Sequence, residues 1–488
     1  MGEKKSETSG QFGIYAFGKD ILIYSLGNGL LLLFGFIQVF IIPKYLTVEG
    51  YGYWQLFILY STYVGILHVG FIDGISVRWA GKELAQIGNE IRTAFRFLIL
   101  EQVVIIVPVA LLLYFLIRPP LQWLWLMVLA YAFIMNLATF FMFTAQAVRK
   151  FGLLTAINVG RGLTFLIIII LLFITGYLSY YYVVIAYLIA FMLALFTFAF
   201  WFRKYLWGEK PATTQLWACG KENISIGIFV LLGNFAAVLF LAIDRLMVSS
   251  FFTIEQFAVY AFATAIVITI YMFVRAVSEV FFPYLSRAVS QLQNRAYQIG
   301  KLAIILVWAA ILAGYFPLAR LIEYYLPHYI ASLPIMQILL CTVGFGSLIQ
   351  ILHVNYYKAY RMQRQYFRWG LAALALSSVL SVLAIKVWGT LESVAIAVSI
   401  SFAIWYTVNE LSLRPMVGKS HRSGIYITAI CSYVAAFWLS LILCKNVLVQ
   451  TGFYLCLFFF ISWLFFRHQV KDLLPVLYNF RKIRILQQ

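Results

Sequence analysis

Charge is what this sequence has least of. Asp, Glu, Lys and Arg make up 11% of it, against about 25% in an ordinary soluble domain, and only 17 of its 488 residues are acidic. A chain this poor in charge and 64% hydrophobic cannot clothe a water-facing surface, so a soluble globular protein is excluded. Cysteine is sparse too. Its five copies (Cys219, Cys341, Cys431, Cys444, Cys456) are scattered with no C-x-x-C pair, which argues against a metal or redox centre. The five histidines show no ligand spacing and no Walker A sequence is present, so no metal, no cofactor and no ATP hydrolysis is expected. Long polar loops are missing: none exceeds roughly 22 residues, which leaves no soluble domain for a catalytic centre. The chain is therefore not expected to be an enzyme. No cleavable signal peptide is expected either, because the first apolar run is long and leads straight into a second. Met1-Gly2 with Ser6 fits a myristoylation pattern, but a chain with so many apolar runs needs no lipid anchor.

Long apolar runs are what the sequence has in abundance. They recur from Ile21 to Phe466, and each is long enough to cross a hydrocarbon core about 30 Å thick as a helix. They are continuous rather than alternating, which excludes a transmembrane barrel. The expected fold is an all-α polytopic membrane protein of about fourteen spans. The first six are residues 21–42, 53–77, 95–117, 123–148, 153–175 and 180–202. The next six are 224–248, 257–280, 299–316, 333–355, 367–387 and 394–411, followed by 425–443 and 447–466.

The basic residues are distributed unevenly. With the N-terminus inside, 28 of the 36 Lys and Arg residues fall on the N-terminus, the inner loops and the tail. Six fall on the outer side (Lys44, Arg118, Arg245, Arg320, Lys386, Lys445), and Arg161 and Arg275 fall inside spans. Such a bias puts both termini in the cytoplasm. The net charge of +19 is then a topology device whose partner is anionic membrane lipid, not nucleic acid. The sequon Asn223-Ile224-Ser225 lies on the inner side and is expected to be idle.

One element occurs twice. LGNGLLLLFGFIQVFIIPKYLTVEGYGYW (residues 26–54) aligns without a gap on LGNFAAVLFLAIDRLMVSSFFTIEQFAVY (residues 232–260) at an offset of 206, with eight of 29 positions identical. Six spans separate the copies, an even number, so both start on the same side. Two parallel six-helix repeats around a central cavity follow, with two appended helices. The expected organisation is an inner N-terminus (1–20), a first lobe (21–202), a linker (203–223), a second lobe (224–411), helices thirteen and fourteen (412–466) and a basic tail (467–488) lying on the membrane as an amphipathic helix. Glycine-interrupted spans at matching places point to the cavity, here Gly27-Asn28-Gly29 and Gly233-Asn234.

Four stretches carry a family resemblance: PKYLTVEGYGYW (43–54), GFIDGISVR (70–78), DRLMVSSFFTIEQFAVY (244–260) and FFPYLSR (281–287). They resemble the polysaccharide-transport branch of the multidrug/oligosaccharidyl-lipid/polysaccharide flippase superfamily, the O-antigen repeat-unit translocases. The resemblance implies a flippase of a bacterial cytoplasmic membrane, moving an undecaprenyl-pyrophosphate-linked oligosaccharide from the cytoplasmic to the outer leaflet. A glycan polymerase and a chain-length regulator are the partners it implies. Two alternatives stay open: a cation-coupled multidrug antiporter of the same fold, and a membrane-embedded glycan polymerase or ligase.

Charged and polar residues inside spans are costly and mark candidate sites. Arg161, about eight residues into span five, suits a lipid pyrophosphate because guanidinium grips phosphate in a bidentate fork; the alternatives are snorkelling and a pair with Glu101. Arg275 and Glu279 are four apart on span eight and can pair with each other. With Asn28, Asn234 and Gln38, the two arginines form the expected substrate-binding set. Asp73 stands opposite Glu279 in the repeat and Asp244 opposite Gln38. Asp244, Glu101, Asp73 and Glu279 form the expected ion-coupling or gating set, for a proton or sodium ion if either is used.

Overall fold

Inside a bilayer no water is available to unpaired backbone groups, so apolar runs must close their hydrogen bonds within themselves. All regular structure among the described residues is accordingly helical. The computed structural model describes residues 26–80, 82–177, 179–208, 211–240, 242–287, 290–417 and 423–485, without the side chains of 236–237, 240, 276, 279–280, 282–284, 286–287, 290–292, 295, 423 and 468–485. Thirteen helices among them are long and apolar enough to cross a membrane, and one bent pair brings the number to fourteen.

The chain divides into two compact units. Unit 1, Met1–Ser249 with Thr253–Ala258, begins with α1 (Leu26–Tyr45), α2 (Val48–Ser61), α3 (Phe71–Trp79) and α4 (Leu84–Leu116). It continues through α5 (Leu121–Ala147), α6 (Phe151–Thr175), α7 (Tyr180–Leu206), α8 (Thr213–Phe240) and α9 (Ile243–Phe251). Its core is aromatic: Phe71, Trp79, Phe97, Phe140, Phe141, Phe198 and Phe202 are buried together. Lipid is as apolar as these rings, so close van der Waals packing rather than hydrophobic exclusion holds the helices. Leu116 and Ile174 stay about 70% exposed.

Unit 2, Ser250–Phe252 with Val259–Gln488, takes in most of α10 (Ile254–Arg287), then α11 (Ser290–Ala313), α12 (Tyr315–Tyr325) and α13 (Ser332–Leu348). A π-helical segment, Ile349–His353, follows, then α14 (Val354–Ala359), α15 (Gln363–Val387), α16 (Leu391–Val417), α17 (Ser423–Leu443) and α18 (Val447–Ile485). The appended pair α17–α18 docks on α11 and α12, where the Tyr454 hydroxyl donates to the Ala309 carbonyl oxygen at 2.7 Å.

The repeated T-x-E has a local cause. Thr47 Oγ1 accepts from Gly50 N at 3.1 Å to cap α2, and Thr253 Oγ1 accepts from Gln256 N at 3.3 Å at the start of α10. The matched glutamates, Glu49 and Glu255, fall in the first turns, where the helix dipole favours an anion.

Several expected boundaries differ. Span two is not continuous but breaks between α2 and α3. Span seven ends at Phe240 and restarts at Ile243, and span nine extends through α12. Helix α18 runs on past the expected end at 466, and the amphipathic face expected of the tail lies outside the described side chains, as the 1–20 segment lies outside the described residues. The division between units falls near 249–258 rather than in the 203–223 linker, because α8 packs along α3 and α4.

That packing is glycine-mediated. A Cβ on Gly70 would lie 2.6 Å from Ile228 N, and one on Gly74 or Gly227 would overlap the backbone of the facing helix. Backbone cannot rotate away as a side chain can. Gly227→Ala is therefore expected to lower the stability of the detergent-purified protein by at least about 1–3 kcal/mol in thermal unfolding. Gly29→Ala, with nothing within 4 Å of its Cβ, should be neutral or stabilising by up to about 1 kcal/mol.

Candidate functional site

Span two holds the stretch Thr62-Tyr-Val-Gly-Ile-Leu-His-Val-Gly70, and there the helix fails. After α2 a single 3-10 segment forms over Val64–His68, then Val69 (φ 46°) and Gly70 (φ 84°) both take left-handed conformations. Glycine adopts this freely, but for a β-branched valine it is strained. Helix α3 leaves at 66° to the segment before it.

A break inside a bilayer frees carbonyls that the protein must satisfy. Two buried amides do so. Gln102 of α4 donates from Nε2 to the Leu67 carbonyl oxygen at 3.0 Å, and Asn136 of α5 donates from Nδ2 to that of Val64 at 3.3 Å. The amides join, Asn136 Nδ2 donating to Gln102 Oε1 at 2.8 Å. Both residues are essentially sealed from solvent, at 0% and 1% exposure.

Three polar side chains meet just past the break. His68 Nε2 lies 3.8 Å from Asp73 Oδ2, and Asn234 of α8 donates to Asp73 Oδ1 at 3.5 Å. His68 and Asp73 are buried, and Asp73 sits in the first turn of α3, whose positive dipole end favours a carboxylate. At the other end of α3, Arg78 reaches Glu222 at 3.1 Å, Asn223 at 3.2 Å and Glu90 at 3.6 Å, while Trp79 Nε1 donates to Glu90 at 2.9 Å. This network ties α3 to α4 and α8. A carboxylate, an imidazole and a carboxamide at a helix break can pass or hold a proton, bind a monovalent cation or donate to a polar cargo. No group of three or more His, Cys, Asp or Glu among the described residues is placed to hold a metal.

Asp73 and Asn234 are brought together. Asn28 and Gln38 are half-buried on α1. The Arg161 guanidinium lies 4.1 Å from the centre of the Phe191 ring, and the alternative pair with Glu101 is not among the ion pairs of the described residues. Asp244 is buried in the first turn of α9, where its Oδ1 accepts from the Arg245 backbone N–H at 2.8 Å. Arg245, assigned by sequence to the outer loops, is buried beside it. Arg275 is exposed on α10, and Glu279 lies outside the described side chains. Sequence reasoning missed His68, Gln102 and Asn136. The two amides carry a legible signal, a lone carboxamide inside an apolar run.

A family model described as a polysaccharide biosynthesis protein matches residues 17–289, more than half of the chain. The chain belongs to that family. No curated protein sequence matches it. Among solved structures, lipid II flippase MurJ in an inward closed conformation aligns over 92% of this chain and 100% of its own, at 14% identity and a TM-score of 0.68. Inward-facing and outward-facing multidrug resistance MATE transporters of the MOP superfamily align over 81% and 82% of this chain and 94% and 95% of theirs, at 13% and 14% identity and TM-scores of 0.53. The polysaccharide biosynthesis protein thus has the fold of flippases and multidrug transporters, and the family match spans the whole of the broken span.

If Gln102 and Asn136 hold the break as one unit, removing either leaves buried carbonyls unsatisfied. Gln102→Leu and Asn136→Leu are each expected to cost about 1–3 kcal/mol of unfolding free energy. The double variant should cost clearly less than the sum, because the two share one network. A strictly additive pair of small losses would contradict it.

Proposed function

We propose that this protein is a flippase that carries an undecaprenyl-pyrophosphate-linked oligosaccharide from the cytoplasmic to the outer leaflet of a bacterial inner membrane, for surface polysaccharide assembly. Both termini are then cytoplasmic, and a glycan polymerase and chain-length regulator act on the delivered unit. The observation that carries this reading is the polysaccharide biosynthesis family match, joined to a fold shared with a lipid II flippase. The likeness to MATE transporters makes cation-coupled drug antiport the second reading.

In this scheme Arg161 grips the pyrophosphate. Its Cζ lies 4.1 Å from the Phe191 ring centre, and a guanidinium held there can donate to phosphate oxygens in a bidentate fork. Asn28, Asn234, Gln38 and Arg275 supply further polar contacts to the cargo. The His68–Asp73–Asn234 cluster is the coupling or gating centre, with Glu279 opposite Asp73 in the repeat; Asp244 and Glu101 complete the set of carboxylates. Energy for the step is available without ATP. A pyrophosphate carries about two negative charges, and each gains about 2.3 kcal/mol per 100 mV on moving out of a negative interior, about 4–5 kcal/mol in all.

Arg161→Ala is expected to reduce surface glycan at least about tenfold, equivalent to about 1.4 kcal/mol or more at the rate-limiting step, with protein level and insertion unchanged. Arg161→Lys should rescue partly, because an ammonium lacks the fork. Normal export by the alanine variant would remove Arg161 from the cargo site, and efflux of cationic dyes by cells making the protein would favour drug antiport.

A further inference from the structure

Unit 2 contains an ion pair that no sequence pattern announced. Lys301 of α11 and Glu410 of α16 are buried, and Lys301 Nζ lies 2.7 Å from Glu410 Oε1. The other carboxylate oxygen accepts from the Tyr297 hydroxyl at 2.8 Å and lies 3.3 Å from His353 Nε2. The ammonium also faces aromatic rings, with its nitrogen 4.7 Å from the centre of Tyr426, 5.5 Å from Tyr406 and 5.9 Å from Tyr297. His353 is aimed into the cluster from the π-helical segment, a distortion frequent at functional sites.

The fold does not need charge here. At the 206-residue offset of the repeat, Tyr297 and Lys301 stand opposite Ile91 and Phe95. In unit 1, Ile91 is fully buried in the apolar core and Phe95 packs on Phe140 and Phe141, with ring centres 5.5 and 4.9 Å apart. An apolar filling therefore serves at that place, and replacing a buried ion pair by apolar residues is often neutral or stabilising. A carboxylate, a hydroxyl and several ring faces converging on one point are instead the ligands of a cation.

We propose that Glu410, Tyr297, Tyr406 and Tyr426 form a cation-binding site in unit 2, and that its resident ligand is the chain's own Lys301 ammonium. The site takes a primary ammonium or a small monovalent cation. Because the cation is tethered, unit 2 draws none from solution.

The test is thermal unfolding of the full-length protein in detergent, at constant ionic strength set with choline chloride. The wild-type midpoint should be the same in choline, ammonium and n-propylammonium chloride. Lys301→Ala removes three methylenes and the ammonium. It should unfold on the order of 5–10 °C lower and be raised saturably by n-propylammonium, which replaces the missing atoms. Lys301→Met, the milder variant, keeps the stem and vacates only the ammonium position, so ammonium ion itself should raise its midpoint. Adding Glu410→Gln to either variant should abolish the response. The proposal is overturned if neither variant responds to its cation, or if the response survives the loss of the Glu410 charge.

Discussion

A backbone carbonyl inside a bilayer must find its partner within the protein, and the arrangement of unit 1 follows from how that demand is met at the break in span two. Gln102 and Asn136 bond carbonyls of the 3-10 segment, those of Leu67 and Val64. Once these are satisfied, Val69 and Gly70 can turn the chain through left-handed conformations, and α3 can set out in a new direction. The turn brings Gly70 and Gly74 against Gly227, so that α8 lies along α3 with backbone touching backbone. Asn234 arrives at Asp73 because α8 is held there. Two amides, three glycines and one strained valine thus set the geometry of the polar cluster.

The two units handle buried charge differently. In unit 1 the buried carboxylate of Asp73 is placed at a helix start and faced by an imidazole and an amide, with no Lys or Arg among the described residues paired to it, so its charge is lightly compensated. In unit 2 Glu410 is answered directly by Lys301, with hydroxyl and ring faces around both. A directly paired site is costly to separate, of order 3–5 kcal/mol for loss of one partner, whereas a lightly compensated one can change its occupant cheaply. On the proposed reading, the exchanging step belongs to unit 1 and the fixed cation to unit 2.

Hydropathy alone made the helical membrane fold legible, since continuous apolar runs admit no other solution in lipid. The repeat led to Asp73 and Asn234, and the structure brings them together. His68 was not legible: on an unbroken helix, residues five apart point about 140° away from one another, and only the left-handed turn at Val69 and Gly70 lets His68 approach Asp73. Lys301 was counted among the inner charges because it stands at the very start of expected span nine (299–316), yet α11 starts at Ser290 and carries it into the core. Its partner is 109 residues away, and no local pattern links them. Arg161 was legible as a charge inside a span but not in its surroundings, since a ring from another helix supplies them.

The most direct test of the central claim, that the break in span two is the working centre of a lipid-linked oligosaccharide flippase, is a flux assay in reconstituted vesicles. Purified protein is inserted with a labelled undecaprenyl-pyrophosphate oligosaccharide, and movement between leaflets is followed under a fixed membrane potential. The account predicts protein-dependent flux for the wild type and at least about a tenfold loss for Asp73→Asn, with cargo binding retained. Wild-type flux from Asp73→Asn would contradict it.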